Sequence, residues 1–459
     1  MCSLRDGVNV QVTAETETRT GLLARLRGKA WLKPFRSAGV LLIGRSAQGV
    51  LSLVAVALAA RALGAVDFGT LTLLHSFVLM VGEMVRFQSW QPVLRYGAPA
   101  MEAGDTPRLQ RILRFGLMLD VISACIGAGI VLLAMAPMAG LLGIPVELHD
   151  AARWYGLSVV FFMLNSAANG ALRLCDRFDL LSAQSAIAPL IRVIGSAALL
   201  FLGGGLVAFL AVWFVASMVG RLYLPLAAWH EMRRRGLSDG FWRSMRGSWR
   251  PEPGIWGFSL GTNLSTSLGT AQQHLGVLAV GWVLGPAAAG LFRVARQFAN
   301  VLSKPTQKLL VPSIYPELAR LTAKGKTGAR RKMVVRTALL SGGISALVFA
   351  ALAVFGETLI ALVVGPEFTE AYTAMLWLAF AGMLGVWLFP VGPLLISTGW
   401  VRLVVTVRLV AMIGYLVALY FAMSWYGLAG AGMATLAHVL LGPPLMLLFG
   451  RRALRAAFA

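Results

Sequence analysis

Apolar runs of about 20 residues, each long enough to cross the hydrocarbon core of a bilayer as a helix, recur from residue 38 to the end of the chain. No long polar stretch separates them. That much apolar side chain cannot be buried inside a water-soluble core. Of the 459 residues, 58% are hydrophobic and 13% charged, where ordinary soluble domains carry about a quarter charged residues. The pattern predicts an all-α membrane protein with spans over residues 38–63, 68–93, 112–136, 154–174, 181–202, 206–230, 254–283, 289–314, 334–355, 371–397, 401–425 and 428–450. About 12 transmembrane helices therefore fill almost the whole chain.

The formal net charge is +22, which in a soluble protein points toward nucleic acid. Its placement argues otherwise. Of the Lys and Arg outside the spans, about 30 fall in alternate connections on one side and roughly two on the other. The basic side is expected to be cytoplasmic, with both termini there and no nucleic-acid partner. The opposite loops carry acids such as Glu147, Asp150, Glu357 and Glu367. Cys2, Cys125 and Cys175 are the only cysteines and form no disulfide or metal-ligand pattern. The basic run Arg25, Arg27, Lys29, Lys33 and Arg36 precedes an apolar stretch too long for a signal peptide, so it is read as leading into an uncleaved first span.

Residues 1–37 form a basic cytoplasmic tail. Its first 20 residues or so lack periodicity and are expected to lack regular structure. The following Leu, Trp and Phe among basic residues suit either an amphipathic surface helix or a solvated tail that sets orientation. The longest connection, 231–253, is a cytoplasmic linker dividing residues 38–230 from 254–459, six spans in each half. A Leu-Gly-x-x-x-x-Gly pattern recurs at the same place in both halves, at Leu63, Gly64 and Gly69 and at Leu284, Gly285 and Gly290. Both halves start on the same side, so the repeats are expected to be parallel, related by an axis along the membrane normal.

Charged groups inside spans are costly and demand a partner, a wet cavity or a route to the interface. Arg45, Arg86, Arg192, Arg221, Arg293, Arg296, Lys304, Lys308 and Arg408 fall within spans, against Glu83 and Asp120. Pairing alone cannot neutralise them. The first two spans of each half each carry a polar face at helical spacing. Arg45 and Gln48 share one; His75, Glu83 and Arg86 another; Asn263 and His274, with Gln273 beside them, a third; Arg293, Arg296, Asn300 and Lys304 the fourth. If these faces meet, they enclose a cationic cavity suited to an anionic guest. Arg45 and Arg296 are expected to lie deep. Arg293, Arg221, Lys308 and Arg408 lie nearer span ends, within reach of snorkelling. Glu83 can pair with Arg86 three residues on, and Glu83 and Asp120 are the acids available for ion coupling.

The paired Leu-Gly turns, the stretch 61–69 running into Phe87-Gln88-Ser89-Trp90-Gln91-Pro92, and the stretch 281–297 running into Lys304-Pro305 resemble the polysaccharide-transporter branch of the MOP superfamily. Members are Wzx-type oligosaccharide flippases. The resemblance covers essentially everything after Ser37. It implies two six-helix bundles around a central cavity, an inner-membrane location, and export of an undecaprenyl-diphosphate-linked oligosaccharide from inner to outer leaflet in polysaccharide or lipopolysaccharide biosynthesis. Related lipid II flippases hold diphosphate with arginines on the first, second and eighth helices, which by position correspond here to Arg45, Arg86, Arg293 and Arg296. The lipid II branch typically has two further C-terminal spans, so repeat-unit glycan is the favoured cargo. Membrane lipids and other polysaccharide-assembly proteins are the implied partners, and no cofactor or metal is implied.

A drug or cation antiporter of the related MATE branch would share the fold but should offer carboxylates to cationic guests. A membrane glycosyltransferase or polymerase is the rival from the enzyme class. The outer loops are short, however, and no P-loop, metal cluster or nucleophile triad is evident, so the chain is read as not an enzyme.

Overall fold

A computed structural model describes residues 8–243, 247–323, 327–388, 391, 395 and 400–449. The described chain is helical throughout its spans, in the order α1 (Val8–Val85), α2 (Trp90–Glu102), α3 (Thr106–Leu141), α4 (His149–Gly156), α5 (Ser158–Met163), α6 (Ser166–Leu174), α7 (Phe178–Leu202), α8 (Leu206–Arg234), α9 (Ile255–Ala323), α10 (Thr327–Val363), α11 (Ala371–Leu388) and α12 (Val401–Phe449). Among the described residues, nine helices are long and apolar enough to cross a membrane. Sharp non-helical turns at Gly64 in α1, Gly285 in α9 and Gly427 in α12 each fold a long helix into two limbs. Counting the limbs separately gives about twelve crossings, as the apolar runs predict. The polar stretch before residue 20, expected to lack regular structure, is helical from Val8 onward. From Val8 to Thr20 there is neither Gly nor Pro to interrupt the helix.

The two Leu-Gly turns have the same backbone. Gly64 adopts φ 68°, ψ 179° and Gly285 φ 86°, ψ 174°, a region essentially closed to any residue with a Cβ. They also touch each other. A Cβ on Gly69 would overlap the Pro286 carbonyl, and one on Gly290 would lie 2.8 Å from the Ala65 carbonyl oxygen. In the repeat Ala65 matches Pro286 and Gly69 matches Gly290, so the contact is reciprocal, the signature of a two-fold relation. Among the described residues, α1 and α9 make the most extensive helix–helix contact. The end of the bundle where these turns meet is called the turn end below.

Two spans that read as continuous are broken. The second ends at Val85 and restarts at Trp90. Pro92 dictates this, because its ring would clash with the carbonyl four residues back, that of Gln88, if the helix ran through. The Gln88 carbonyl accepts instead from the Gln91 amide at 2.9 Å. The fourth span is the succession α4, α5, α6, interrupted near Leu157 and at Leu164 and Asn165. Ser158, Asn165 and Ser166 there favour local side-chain bonding over helix continuation.

Both breaks converge on α3. Asp120, 1% exposed, accepts hydrogen bonds from the Ser89 hydroxyl at 2.5 Å and the Ala167 amide at 2.8 Å. The Phe87 amide donates to Ser123 Oγ (3.3 Å) and the Trp90 amide to Ser166 Oγ (3.2 Å). Amides released where the helices break, which would be costly to leave bare in a membrane, are thus satisfied by α3 and by each other's break.

Candidate functional site

Depth along each helix follows from a rise of 1.5 Å per residue. Measured from the Gly64 turn, His75 lies about 16 Å down α1; measured from Gly285, Arg293 lies about 12 Å and Arg296 about 16 Å down α9. Arg192 is about 15 Å from the end of α7 at Leu202. With a hydrocarbon core of ~30 Å, these groups sit at mid-membrane. Arg192 and Arg293 line one small cavity of about 40 Å³ together with Ser52, Thr72, His75 and Trp213. That space holds two or three waters.

The polar groups around it are ordered by one another. His75 Nδ1 and the Tyr155 hydroxyl are hydrogen-bonded at 2.6 Å. Arg192 stacks over Trp213, its guanidinium carbon 5.2 Å from the ring centre, and reaches Ser217 Oγ at 3.4 Å. Its Nε is buried with no hydrogen-bond partner among the described residues. Arg296 lies within electrostatic reach of Tyr415, which stacks edge-on against His438. Asn263, His274 and Asn300 are half-buried on α9. The side chains of Gln273 and Lys304 lie outside the described residues.

Further from the turn end the cations continue. Arg221, about 22 Å along α8, and Arg86 lie over the Phe162 ring, at 4.4 and 4.8 Å from its centre. Arg86 also pairs with Glu83 at 3.1 Å. At the far end Arg173 lies over Trp90 at 4.9 Å and donates to Asn169 Oδ1 at 2.6 Å. Arg45, about 28 Å from the Gly64 turn, is exposed, as is Gln48, and is within electrostatic reach of Arg173. The guanidinium groups thus form a graded column: Arg45 and Arg173, then Arg86 and Arg221, then Arg192, Arg293 and Arg296.

Sequence reasoning placed Arg45 deep and Arg293 near a span end; in the structure Arg45 lies on an exposed face about 28 Å from the Gly64 turn, and Arg293 lines the small cavity about 12 Å from the Gly285 turn. The difference arises because Gly285 marks the helix end, and Arg293 is more than two turns beyond it. Arg173 was missed because it lies in the last turn of a span, where an arginine reads as an anchor. Tyr155 was missed because an isolated tyrosine in an apolar run carries no periodic signal. Only the packing of α4 on α1 brings it to His75. Among the described residues no cluster of His, Cys, Asp or Glu could hold a metal ion.

The sequence signature described as "Polysaccharide biosynthesis protein" matches residues 113–373. A relative in Escherichia coli (strain K12), "Inner membrane protein YghQ", is 32% identical over 352 residues, covering 76% of this chain and 94% of the relative. The fold overlays on a multidrug resistance MATE family transporter of the MOP superfamily in its inward-facing conformation, with TM-score 0.72, 15% identity, 91% of this chain and 95% of the other. Against an outward-facing conformation of such a transporter the TM-score is 0.61, with 15% identity, 93% and 96% coverage. A MOP superfamily transporter from Pyrococcus furiosus, for which reverse polarity of the binding pocket suggests a different function, gives TM-score 0.62 at 15% identity over 93% of this chain and 96% of the other.

Proposed function

From the premise that this chain belongs to the polysaccharide biosynthesis protein family and has the MOP-superfamily fold, we propose that it is a flippase. It carries an undecaprenyl-diphosphate-linked oligosaccharide from the inner to the outer leaflet of the bacterial inner membrane. The observation that carries this reading is the column of guanidinium groups rising from Arg45 and Arg173 to Arg192 and Arg293. A diphosphate is matched bidentately by guanidinium, whereas a cationic drug would be repelled at every level of the column. The reversed pocket polarity reported for the Pyrococcus furiosus transporter is in keeping with charge, not fold, dividing function within the superfamily.

In this reading the turn end faces outward, both termini and the 231–253 linker are cytoplasmic, and the halves are residues 38–230 and 254–459. The diphosphate enters from the far end, first meeting Arg45 and Arg173 and then Arg86. Arg293, Arg296 and Lys304 meet it from the second half, and Gln48, Asn263, Gln273, His274 and Asn300 supply hydrogen bonds for the sugars. The lipid tail stays in the bilayer beside the bundle. The 40 Å³ space at mid-membrane is far too small for the head group, so the halves must part there for passage. Rocking them about the bundle axis would separate Gly69 from Pro286 and Gly290 from Ala65 together, opening the outer side. Glu83 is the acid available for ion coupling. Asp120 is engaged at both helix breaks and acts through geometry.

The test is leaflet-resolved measurement of lipid-linked glycan in cells carrying Arg45→Ala with Arg296→Ala, and separately Arg192→Gln with Arg293→Gln. Loss of outer-leaflet glycan at unchanged protein level is the expected result. Undiminished transport in both would remove the column from the mechanism.

A further inference from the structure

The connection between the halves is not a slack tether. Gln110 on α3, 5% exposed, donates from Nε2 to the carbonyls of Leu237 and Asp239, both at 2.9 Å. Arg114, also buried on α3, donates to the Gly240 carbonyl at 3.1 Å and lies over the Phe241 ring. Arg108 closes the far side of the loop with two bonds to the Glu252 carboxylate, at 2.5 and 3.0 Å. Buried polar groups are thus committed to the shape of a loop, where a simple connector would have needed none.

What the loop displays is a groove. Its wall is an aromatic stack: Trp229 contacts Phe241 and Trp242 at centroid distances of 5.7 and 5.9 Å, and Phe241 contacts Trp242 at 5.1 Å. Phe241 is buried while Trp242 is 62% exposed. Arg233 lies over Trp229 at 5.2 Å, and Arg233 and Arg243 both line an open volume of about 510 Å³. Ser238 lines it too, and Asp239 is its one acidic residue. Trp229 lies about 35 Å along α8 from Leu206, which is the level of the membrane–water interface. Exposed tryptophan at that level partitions into the headgroup region, and arginine there attracts anionic lipid.

We propose that this groove binds the phosphate headgroup of an anionic phospholipid of the membrane itself. Arg233 and Arg243 contact the phosphate, and Trp242 lies against the glycerol and upper acyl chain. The occupant is a lipid and not a soluble phosphate, because the aromatic wall has a use only for a ligand with an apolar part. The inference is independent of what the transporter carries.

The full-length protein, purified in neutral detergent, is titrated with brominated phosphatidylglycerol or brominated phosphatidylcholine while tryptophan fluorescence is followed. Bromine quenches only tryptophans it touches. Each arginine near a headgroup is worth about a fivefold preference for anionic lipid, so phosphatidylglycerol should quench at a concentration roughly tenfold or more below phosphatidylcholine. Trp242→Phe should remove the preferential component. Arg233→Gln with Arg243→Gln, both exposed, should bring the two lipids together while the protein elutes unchanged on gel filtration. Inorganic phosphate should not compete. Equal quenching by the two lipids would overturn the proposal and leave the groove to a protein partner. A preference that survives either variant, or is abolished by inorganic phosphate, would overturn it equally.

Discussion

The two halves of the molecule are alike where they meet and unlike where they are charged. At the turn end, Gly64 and Gly285 share one rare backbone conformation, and Gly69 and Gly290 sit reciprocally against the opposite turn. Away from it the symmetry lapses. The first half breaks its second and fourth spans and supplies Arg45, Arg86, Arg173, Arg192 and Arg221. In the second, α9 runs as helix from Gly285 to Ala323 and supplies Arg293 and Arg296. On the proposed reading, the contact that the two halves make and break is the symmetric part, while among the described side chains most of the guanidinium groups come from the first half. Helix breaks go with the charges because they bring the cationic side chains and their aromatic supports, Trp90 and Phe162, to positions a straight helix would not reach.

The comparison can be broken most severely at its charged centre. Each charge-assisted hydrogen bond is worth about 1.5–3 kcal/mol. Arg192→Gln with Arg293→Gln should therefore reduce outer-leaflet delivery of lipid-linked glycan by roughly a hundredfold or more, at normal protein abundance. A smaller loss would place the anion elsewhere on the column. The next largest effect concerns the breaks themselves. Asp120→Ala strips partners from Ser89 and the Ala167 amide, and hydrogen bonds in membranes average about 0.6 and reach about 1.7 kcal/mol. Its thermal stability should fall by about 1–3 kcal/mol. Asp120→Asn, which keeps an acceptor, should lose less, and equal losses would show that charge outweighs geometry.

The symmetric part is sharpened by a paired substitution. Gly69→Ala and Gly290→Ala each insert a methyl group between backbones, an overpacking of about 1–3 kcal/mol. Both should shift the protein toward the form open at the turn end, read as faster labelling of a cysteine placed beside the turn. Opposite shifts from the two glycines would refute the reciprocal contact. Smallest of all, Arg45→Ala removes an exposed entry group and should slow transport by less than about fivefold, judged by the modest worth of a surface charge, while Arg86→Ala, on the Phe162 ring, should slow it more. Initial rates of glycan appearance in the outer leaflet separate the two.

Several features were legible in the residues alone. The recurrence of apolar runs near 20 residues sets the number of crossings, because the bilayer imposes one length on every span. Leu63-Gly64 and Leu284-Gly285 announced a repeat, since only glycine adopts the backbone both turns use. The excess of arginine over acid within the spans was also plain from the residues. What the residues could not convey was adjacency. That Gly69 faces Pro286, that His75 bonds Tyr155, and that Asp120 answers amides from two broken helices are facts about chain segments tens to hundreds of residues apart. Periodicity is a property of one helix and reports which face is polar, whereas which polar faces meet is decided by how α1, α3, α7 and α9 pack. The depth of Arg293 shows the limit. Its place in the sequence was known throughout, but its place in the membrane depended on where the helix ends, and Gly285 reveals that end only once its backbone is seen.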